Sequence, residues 1–144
     1  MSSTVTPPPL PGDMVGSFCL GESIGVGGNA TVYRSSSPHH GDVAIKVLHP
    51  GKADSPEGQR LRREFLALEE LQHTGVVRVY EAGLHGEYPW ICMEYVDGTD
   101  LGSQVKQWQT APTRDRFEQV ERILRDLCEA LAYVHERGLV HRDI

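Results

Sequence analysis

Residues 42–48 read Asp-Val-Ala-Ile-Lys-Val-Leu, and this stretch decides the fold. Apolar side chains alternate with small or polar ones, so the stretch is predicted to form a strand with Val43, Ile45 and Val47 on one buried face. Lys46 then falls on the opposite face, where Ala44 is small enough to leave room for a ring. The alternative is a lysine on the solvated face of an edge strand, which is common.

Further strands and one helix are predicted on either side of this stretch. β-Branched and aromatic residues in 18–24 and 30–35 indicate a hairpin, and two more strands are predicted at 76–82 and 89–94. Between the two pairs, apolar residues recur every three or four positions over 57–72, which is the spacing of a helix. The order predicts an α+β fold built on a five-stranded antiparallel sheet with one helix.

Beyond residue 96 the sequence becomes helical in pattern. Asp100 is a predicted helix cap, and apolar residues at 101, 105 and 108 predict a short helix. Apolar residues then recur every three or four positions over 117–134, up to Gly138, a natural carboxyl-terminal stop. This is the strongest helical pattern in the chain.

Three segments follow from these patterns. Residues 1–17 are rich in Ser, Thr and Pro, so they bury little apolar surface and are predicted to form a flexible tail. Residues 18–96 form the predicted sheet domain, and residues 97–144 form a linker followed by helices.

Composition excludes several classes of protein. The 144 residues are 39% hydrophobic and 24% charged, as in ordinary globular chains, and the net charge of -6 argues against a nucleic-acid partner but not against free nucleotide. The three cysteines show no disulfide or zinc spacing. No apolar run approaches the roughly 18 residues that span a bilayer, and the first residues lack the basic-then-apolar order that is typical of a signal peptide. We therefore expect a cytoplasmic protein without a membrane partner in this segment.

The glycines between the first two predicted strands suit an anion site. Gly25, Gly27 and Gly28 allow the backbone to approach an anion closely and to turn its amides toward phosphate oxygens. The alternative is a tight turn that needs positive φ.

A lysine at a cleft needs an anionic partner, because an unpaired ammonium is costly to desolvate. Glu64 is the candidate partner of Lys46, since it shares the inward, apolar face of the predicted helix. Glu57, Glu69 and Glu70 share that placement less well.

Two other segments are weak signals alone. Residues 91–96, Ile-Cys-Met-Glu-Tyr-Val, read as an apolar strand that leaves a sheet, and His141-Arg142-Asp143 is a common surface tripeptide. In this order and spacing, however, the glycine loop, the Val43–Lys46 strand, residues 91–96 and the tripeptide resemble the amino-terminal part of a protein kinase catalytic domain, of the eukaryotic-like Ser/Thr type found in bacteria. The resemblance covers about residues 18–144. Ala30 stands where the family pattern has its third glycine.

The resemblance implies a kinase N-lobe followed by the first helices of a C-lobe, with ATP and Mg²⁺ as cofactors. It assigns the nucleotide to loop residues Ile24, Gly25, Val26, Gly27, Gly28, Asn29, Ala30 and Val32, to Ala44 and Lys46, and to hinge residues Met93, Glu94 and Val96. It also implies that Lys46 pairs with Glu64, and that Asp143 accepts the substrate hydroxyl proton while Arg142 and His141 organise its loop.

The family's magnesium ligands are an asparagine five residues after the catalytic aspartate and the aspartate of an Asp-Phe-Gly block. Neither occurs in residues 1–144, so no metal ligand is assigned, and we expect this polypeptide alone to have no kinase activity. We also expect the apolar face of the 117–134 helix to be exposed or covered by a partner.

Three functional hypotheses remain at this point. The favoured one is ATP-dependent phosphoryl transfer to protein Ser or Thr by a complete kinase domain of which this chain is the amino-terminal part. The second is a nucleotide-binding remnant without transfer activity. The third is a protein-interaction module that uses the exposed helix. The protein substrate is not readable from these residues.

Overall fold

The computed structural model describes residues 7–49, 65, 68–110 and 114–140. Within these residues the chain divides into two compact units. The first contains the residues up to Leu71 together with Arg78–Tyr95, and the second contains Gln72–Val77 and the residues from Val96 onward. The change from one unit to the other after Tyr95 lies one residue before the boundary predicted from the sequence.

The described part of the first unit is built from strands in two antiparallel sheets. The five-stranded sheet has the order β3-β4-β5-β7-β6, and β1 and β2 form a separate small sheet. The strands are β1 (Met14–Val15), β2 (Phe18–Cys19), β3 (Ser23–Val26), β4 (Ala30–Ser37), β5 (Gly41–Leu48), β6 (Val79–His85) and β7 (Tyr88–Glu94). The predicted five-stranded antiparallel sheet is therefore confirmed. Of the helix predicted at 57–72, only residues 65 and 68–72 are described, and positions 65, 68 and 69 are helical.

Strand β5 lies at the centre of the larger sheet, between β4 and β7. Its Val43, Ile45 and Val47 side chains are buried in the core, as the alternating pattern predicts. In the register of the sheet, Ile45 stands opposite Tyr33 on β4 and Cys92 on β7, which belong to the same core. The apolar face of the sheet is thus continuous across three strands.

The amino-terminal residues cover this apolar face. Val15, Phe18 and Leu20 are almost completely buried and belong to the same core cluster. The Phe18 ring meets the Trp90 ring edge to face, with centroids 5.8 Å apart. The Tyr33 hydroxyl donates a hydrogen bond of 2.8 Å to the Pro9 carbonyl. In the segment predicted as a flexible tail, 1–17, Pro9 and Val15 are buried and Met14–Val15 forms β1, whereas the other described residues of the segment are exposed.

The strand predicted at 18–24 is divided in the structure. Its first residues pair with β1, whereas Ser23–Val26 pairs with β4. Gly21 and Glu22 make the change of partner, since the Gly21 amide donates to the Arg34 carbonyl at 2.7 Å and the Arg34 amide donates to the Glu22 carbonyl at 2.9 Å.

The predicted strand pair at 76–82 and 89–94 is also shifted, because β6 continues to His85 and the turn is reduced to residues 86–87.

The second unit contains α1 (Leu101–Thr110) and α2 (Arg116–Glu136), which confirms both predicted helices. Asp100 caps α1, since its carboxylate accepts hydrogen bonds from the amide and the hydroxyl of Ser103, at 2.9 and 2.7 Å. These bonds hold the pKa of Asp100 below its ordinary value. Helix α2 ends at Glu136, and the chain turns away at Gly138, whose φ of 75° suits glycine, with the Leu139 amide bonded to the Val134 carbonyl in the Schellman pattern.

Trp90 packs against the backbone of Gly16, and this contact generates a prediction for stability. A Cβ atom at Gly16 would lie 2.6 Å from the buried Trp90 ring, and the φ of 58° is strained for any other residue. Gly41 has a similar φ of 72° but open space around it. We expect Gly41→Ala to cost about 1 kcal/mol of unfolding free energy and Gly16→Ala at least about 2 kcal/mol. Equal losses in urea denaturation would show that the Trp90 contact is unimportant.

Candidate functional site

A groove of about 460 Å³ opens beside the β3–β4 hairpin in the first unit. This volume is within the range of small-molecule sites, roughly 300–1,000 Å³. The groove is lined by Gly25, Val26, Gly27, Asn29, Ala30, Val32, Lys46 and Leu48. The structure thus brings Gly25, Gly27 and Lys46 to one cavity, whereas Gly28 does not line it; Leu48 was not among the predicted site residues.

The groove lies on the face of the sheet opposite the core. Lys46 stands beside Val32 on β4 and Ile91 on β7 in the register of the strands. Ala44 occupies the next row on the same face, between Arg34 and Met93. Because direct cross-strand neighbours share a face, the side chains of these two rows form one continuous surface. This surface carries two cations, Arg34 and Lys46, and of these Lys46 lines the groove.

The glycines of the hairpin, of which Gly25 and Gly27 line the groove, are not required by the backbone conformation of the fold. Neither Gly25 nor Gly28 has a φ in the left-handed region. A Cβ atom at Gly28 would meet nothing within 4 Å, and one at Gly25 would make only ordinary contact with Val32. The alternative of a tight turn that needs positive φ is therefore not supported at these positions. The space left beside the backbone is available to a ligand.

The end of β5 holds the tip of the hairpin. The His49 amide donates to the Asn29 carbonyl at 2.9 Å, and the His49 ring contacts the Gly28 carbonyl through Nδ1 at 3.1 Å. Nε2 of the same ring lies 3.3 Å from the Thr31 hydroxyl. His49 was not singled out from the sequence, because its partners lie about 20 residues earlier in the chain and no local motif signals the contact.

The strand that precedes the predicted hinge is held firmly in the first unit. The Glu94 amide donates to the Arg78 carbonyl at 2.8 Å, and the Glu94 carboxylate accepts from the Arg78 amide at 3.2 Å. The Arg34 guanidinium lies 4.6 Å from the centre of the Tyr95 ring. It also donates to Asp42 at 2.5 Å, a hydrogen bond that raises the pKa of Arg34. Tyr95 is thereby anchored to β4.

The other predicted nucleotide residues lie outside the lining of the groove. Ala44 is buried, Met93 is half-buried, and Ile24, Gly28 and Glu94 are exposed. Val96 is exposed and belongs to the second unit. Glu64, His141, Arg142 and Asp143, predicted as catalytic residues, lie outside the described residues.

The described residues hold neither a cluster of metal ligands nor a helix that could span a membrane. They contain no group of three or more His, Cys, Asp or Glu side chains that could hold a metal ion. Among the helices of the same residues, none is long and apolar enough to cross a membrane.

The three cysteines are free, and burial raises the pKa of the Cys92 thiol to about 11.

Comparison with known proteins decides the family. The sequence matches the family described as protein kinase domain over residues 18–144. The chain belongs to this family. The five-stranded sheet and the two helices that follow it are therefore those of a kinase N-lobe and of the start of a C-lobe, as predicted.

The relatives are bacterial serine/threonine-protein kinases. The chain is 37% identical over 131 residues to PknB of Mycobacterium leprae, covering 87% of this chain and 20% of that protein. It is 38% identical over 139 residues to PksC of Streptomyces coelicolor, covering 90% of this chain and 24% of PksC. The crystal structure of the PknI kinase domain of Mycobacterium tuberculosis has a TM-score of 0.79 at 29% identity, covering 95% of this chain and 55% of that one. The chain therefore spans between a fifth and a quarter of these curated relatives.

The open space at Gly28 generates a second prediction. Because a methyl group there meets no protein atom and the backbone is not in the left-handed region, Gly28→Ala is expected to change the unfolding free energy by no more than about 0.5 kcal/mol. Thermal denaturation of the variant beside wild type checks this. A loss above about 1 kcal/mol would mean that the hairpin itself needs the glycine.

Proposed function

We propose that this chain provides the ATP-binding part of a kinase that transfers phosphate to Ser or Thr of proteins. The observation that carries the proposal is that Lys46 and the glycine hairpin line one groove, on a face of the sheet that the core does not use. The serine/threonine-kinase relatives support the reaction class, since they match nearly the whole chain.

The groove offers the two kinds of contact that a nucleotide needs. The hairpin backbone at Gly25 and Gly27 can approach phosphate oxygens without a side chain in the way, and Lys46 adds a full positive charge. Val32 and Leu48 give an apolar wall beside them. We propose that Ala44 lies against the adenine ring, and that Met93, Glu94 and Val96 form the hinge that binds its polar edge.

The transfer step needs groups that the described residues do not include. We propose that Glu64 pairs with Lys46, and that Asp143, in a loop with His141 and Arg142, accepts the proton of the substrate hydroxyl. Magnesium, when bound, neutralises charge that develops on the phosphates. Since residues 1–144 contain neither of the family's magnesium ligands, the 144-residue polypeptide is proposed to bind ATP without transferring phosphate. The proposal also places this domain in the cytoplasm, where ATP is available.

The third prediction concerns Lys46. Removing a charged donor from a phosphate site costs about 1.5–3 kcal/mol, so Lys46→Met is expected to weaken ATP binding about 10-fold to 150-fold. Isothermal titration of the 144-residue chain, with and without magnesium, measures the effect. Lys106→Met, in α1 of the second unit, removes the same charge away from the groove and is expected to leave affinity unchanged.

Two outcomes would contradict the proposal. No ATP binding by wild type at millimolar concentration would remove the nucleotide function, and equal weakening by Lys46→Met and Lys106→Met would show a nonspecific charge effect. Phosphate transfer to a generic Ser/Thr substrate by the 144-residue chain would contradict only the proposed inactivity.

A second candidate function is protein interaction through α2. Phe117, Leu124 and Leu127 are 75%, 55% and 37% exposed, and their spacing places them on one face of this helix. Adjacent exposed apolar side chains of this size mark an interaction surface in many proteins. A partner that covers this face is proposed on that ground.

The fourth prediction tests this helix face. The double substitution Phe117→Ser and Leu124→Ser is expected to reduce the fluorescence of a bound hydrophobic dye while changing stability by about 0.5 kcal/mol or less, because both side chains are largely in solvent. Leu10→Ser, at an equally exposed leucine of the first unit, is the matched control. Absence of dye binding to a monomeric wild-type chain would exclude an apolar docking face.

A further inference from the structure

We propose that His49 is a positioning residue that holds the tip of the glycine hairpin in place for the phosphates of the nucleotide. The inference rests on the proposed function, and it concerns a residue that neither lines the groove nor belongs to the predicted site. It is carried by three contacts that join the end of β5 to three residues of the hairpin.

The contacts are specific in their chemistry. A carbonyl oxygen only accepts hydrogen bonds, so the His49 Nδ1 atom, 3.1 Å from the Gly28 carbonyl, must carry a proton. Nε2 of the neutral ring is then free to accept the hydrogen bond of the Thr31 hydroxyl, 3.3 Å away. Both ring nitrogens are therefore satisfied by the hairpin, in one tautomer.

The backbone aims the ring at the hairpin. The Ala30–Leu48 pair ends the β4–β5 ladder, and the 2.9 Å bond from the His49 amide to the Asn29 carbonyl extends it by one step. In the sequence His49 precedes Pro50, and a residue before proline is biased toward extended conformations. The ring therefore starts from a fixed position beside residues 28–31.

The hairpin needs such an anchor because it has little else to hold it. Its tip residues 27–29 are exposed, and Gly27 and Gly28 have no side chains to pack. The tip is otherwise closed by the 2.9 Å bond from the Gly27 amide to the Ala30 carbonyl. By ordering the tip before the ligand arrives, His49 lowers the entropy that phosphate binding must offset.

The test compares His49→Ala with His39→Ala in the 144-residue chain. His39 is exposed in the turn between β4 and β5, at the opposite end of β5 from the groove, so it is a matched histidine control. Two lost hydrogen bonds predict ATP binding about 5-fold to 30-fold weaker in His49→Ala, with adenosine binding changed less than about two-fold. His49→Asn, which retains a donor for the Gly28 carbonyl, is expected to lose less than His49→Ala.

Amide hydrogen exchange gives a readout that needs no nucleotide. The Gly27 amide is expected to exchange several-fold faster in His49→Ala than in wild type or His39→Ala, because its bond to Ala30 opens more often. If His49→Ala bound ATP with the affinity of wild type and its Gly27 amide exchanged at the wild-type rate, the inference would be overturned while the proposed function stayed intact. Failure of the wild-type chain to bind any nucleotide would refute the proposed function and the phosphate role of His49 together. If the Gly27 amide also exchanged at the same rate in His49→Ala as in wild type, the anchoring of the hairpin would be refuted as well.

Discussion

The alternation of side chains along β5 is the constraint on which the rest of the structure depends. Val43, Ile45 and Val47 are buried in the core, and burial of each such side chain contributes about 1.5–3 kcal/mol. A slip of one residue would expose all three and turn Lys46 into the core, where an unpaired charge costs several kcal/mol. The register is therefore fixed by the core, and the core in turn determines that Lys46 faces the groove.

The small amino-terminal sheet makes this division of faces possible. Val15 and Phe18 close the apolar side of the larger sheet, and the Trp90 ring contacts the Phe18 ring and the backbone of Gly16 and Gly83. With one face covered by the chain itself, the opposite face of β4 and β5 does not have to supply the main core of the unit. A floor that carries Lys46 beside a cavity is compatible with stability only because the apolar burial occurs elsewhere.

The sequence predicts those elements whose periodicity is long enough to be unambiguous. The alternation of β5 and the three-to-four spacing of α2 both extend over several repeats, and both elements are found. Two-residue strands such as Met14–Val15 have no period, and the surrounding Ser, Thr and Pro residues indicate disorder, so the burial of Pro9 and Val15 could not be predicted. Gly25, Gly27 and Lys46 could be singled out from glycine and lysine chemistry, whereas Leu48 was not predicted and the contact of His49 depends on tertiary proximity alone.

The hairpin combines two requirements that oppose each other. A backbone that approaches phosphate closely needs small residues, but small residues leave the chain with the most conformational freedom to lose on ordering. Side chains of the hairpin cannot resolve this conflict, because they would occupy the space that the ligand needs. An anchor must therefore come from outside the hairpin, and the first position after β5 is suited to this role because it continues the ladder that the core has already put in register. The packing of Val43 and Ile45 fixes the register of β5 against β4, and this register in turn fixes the position of the glycine hairpin beside the groove.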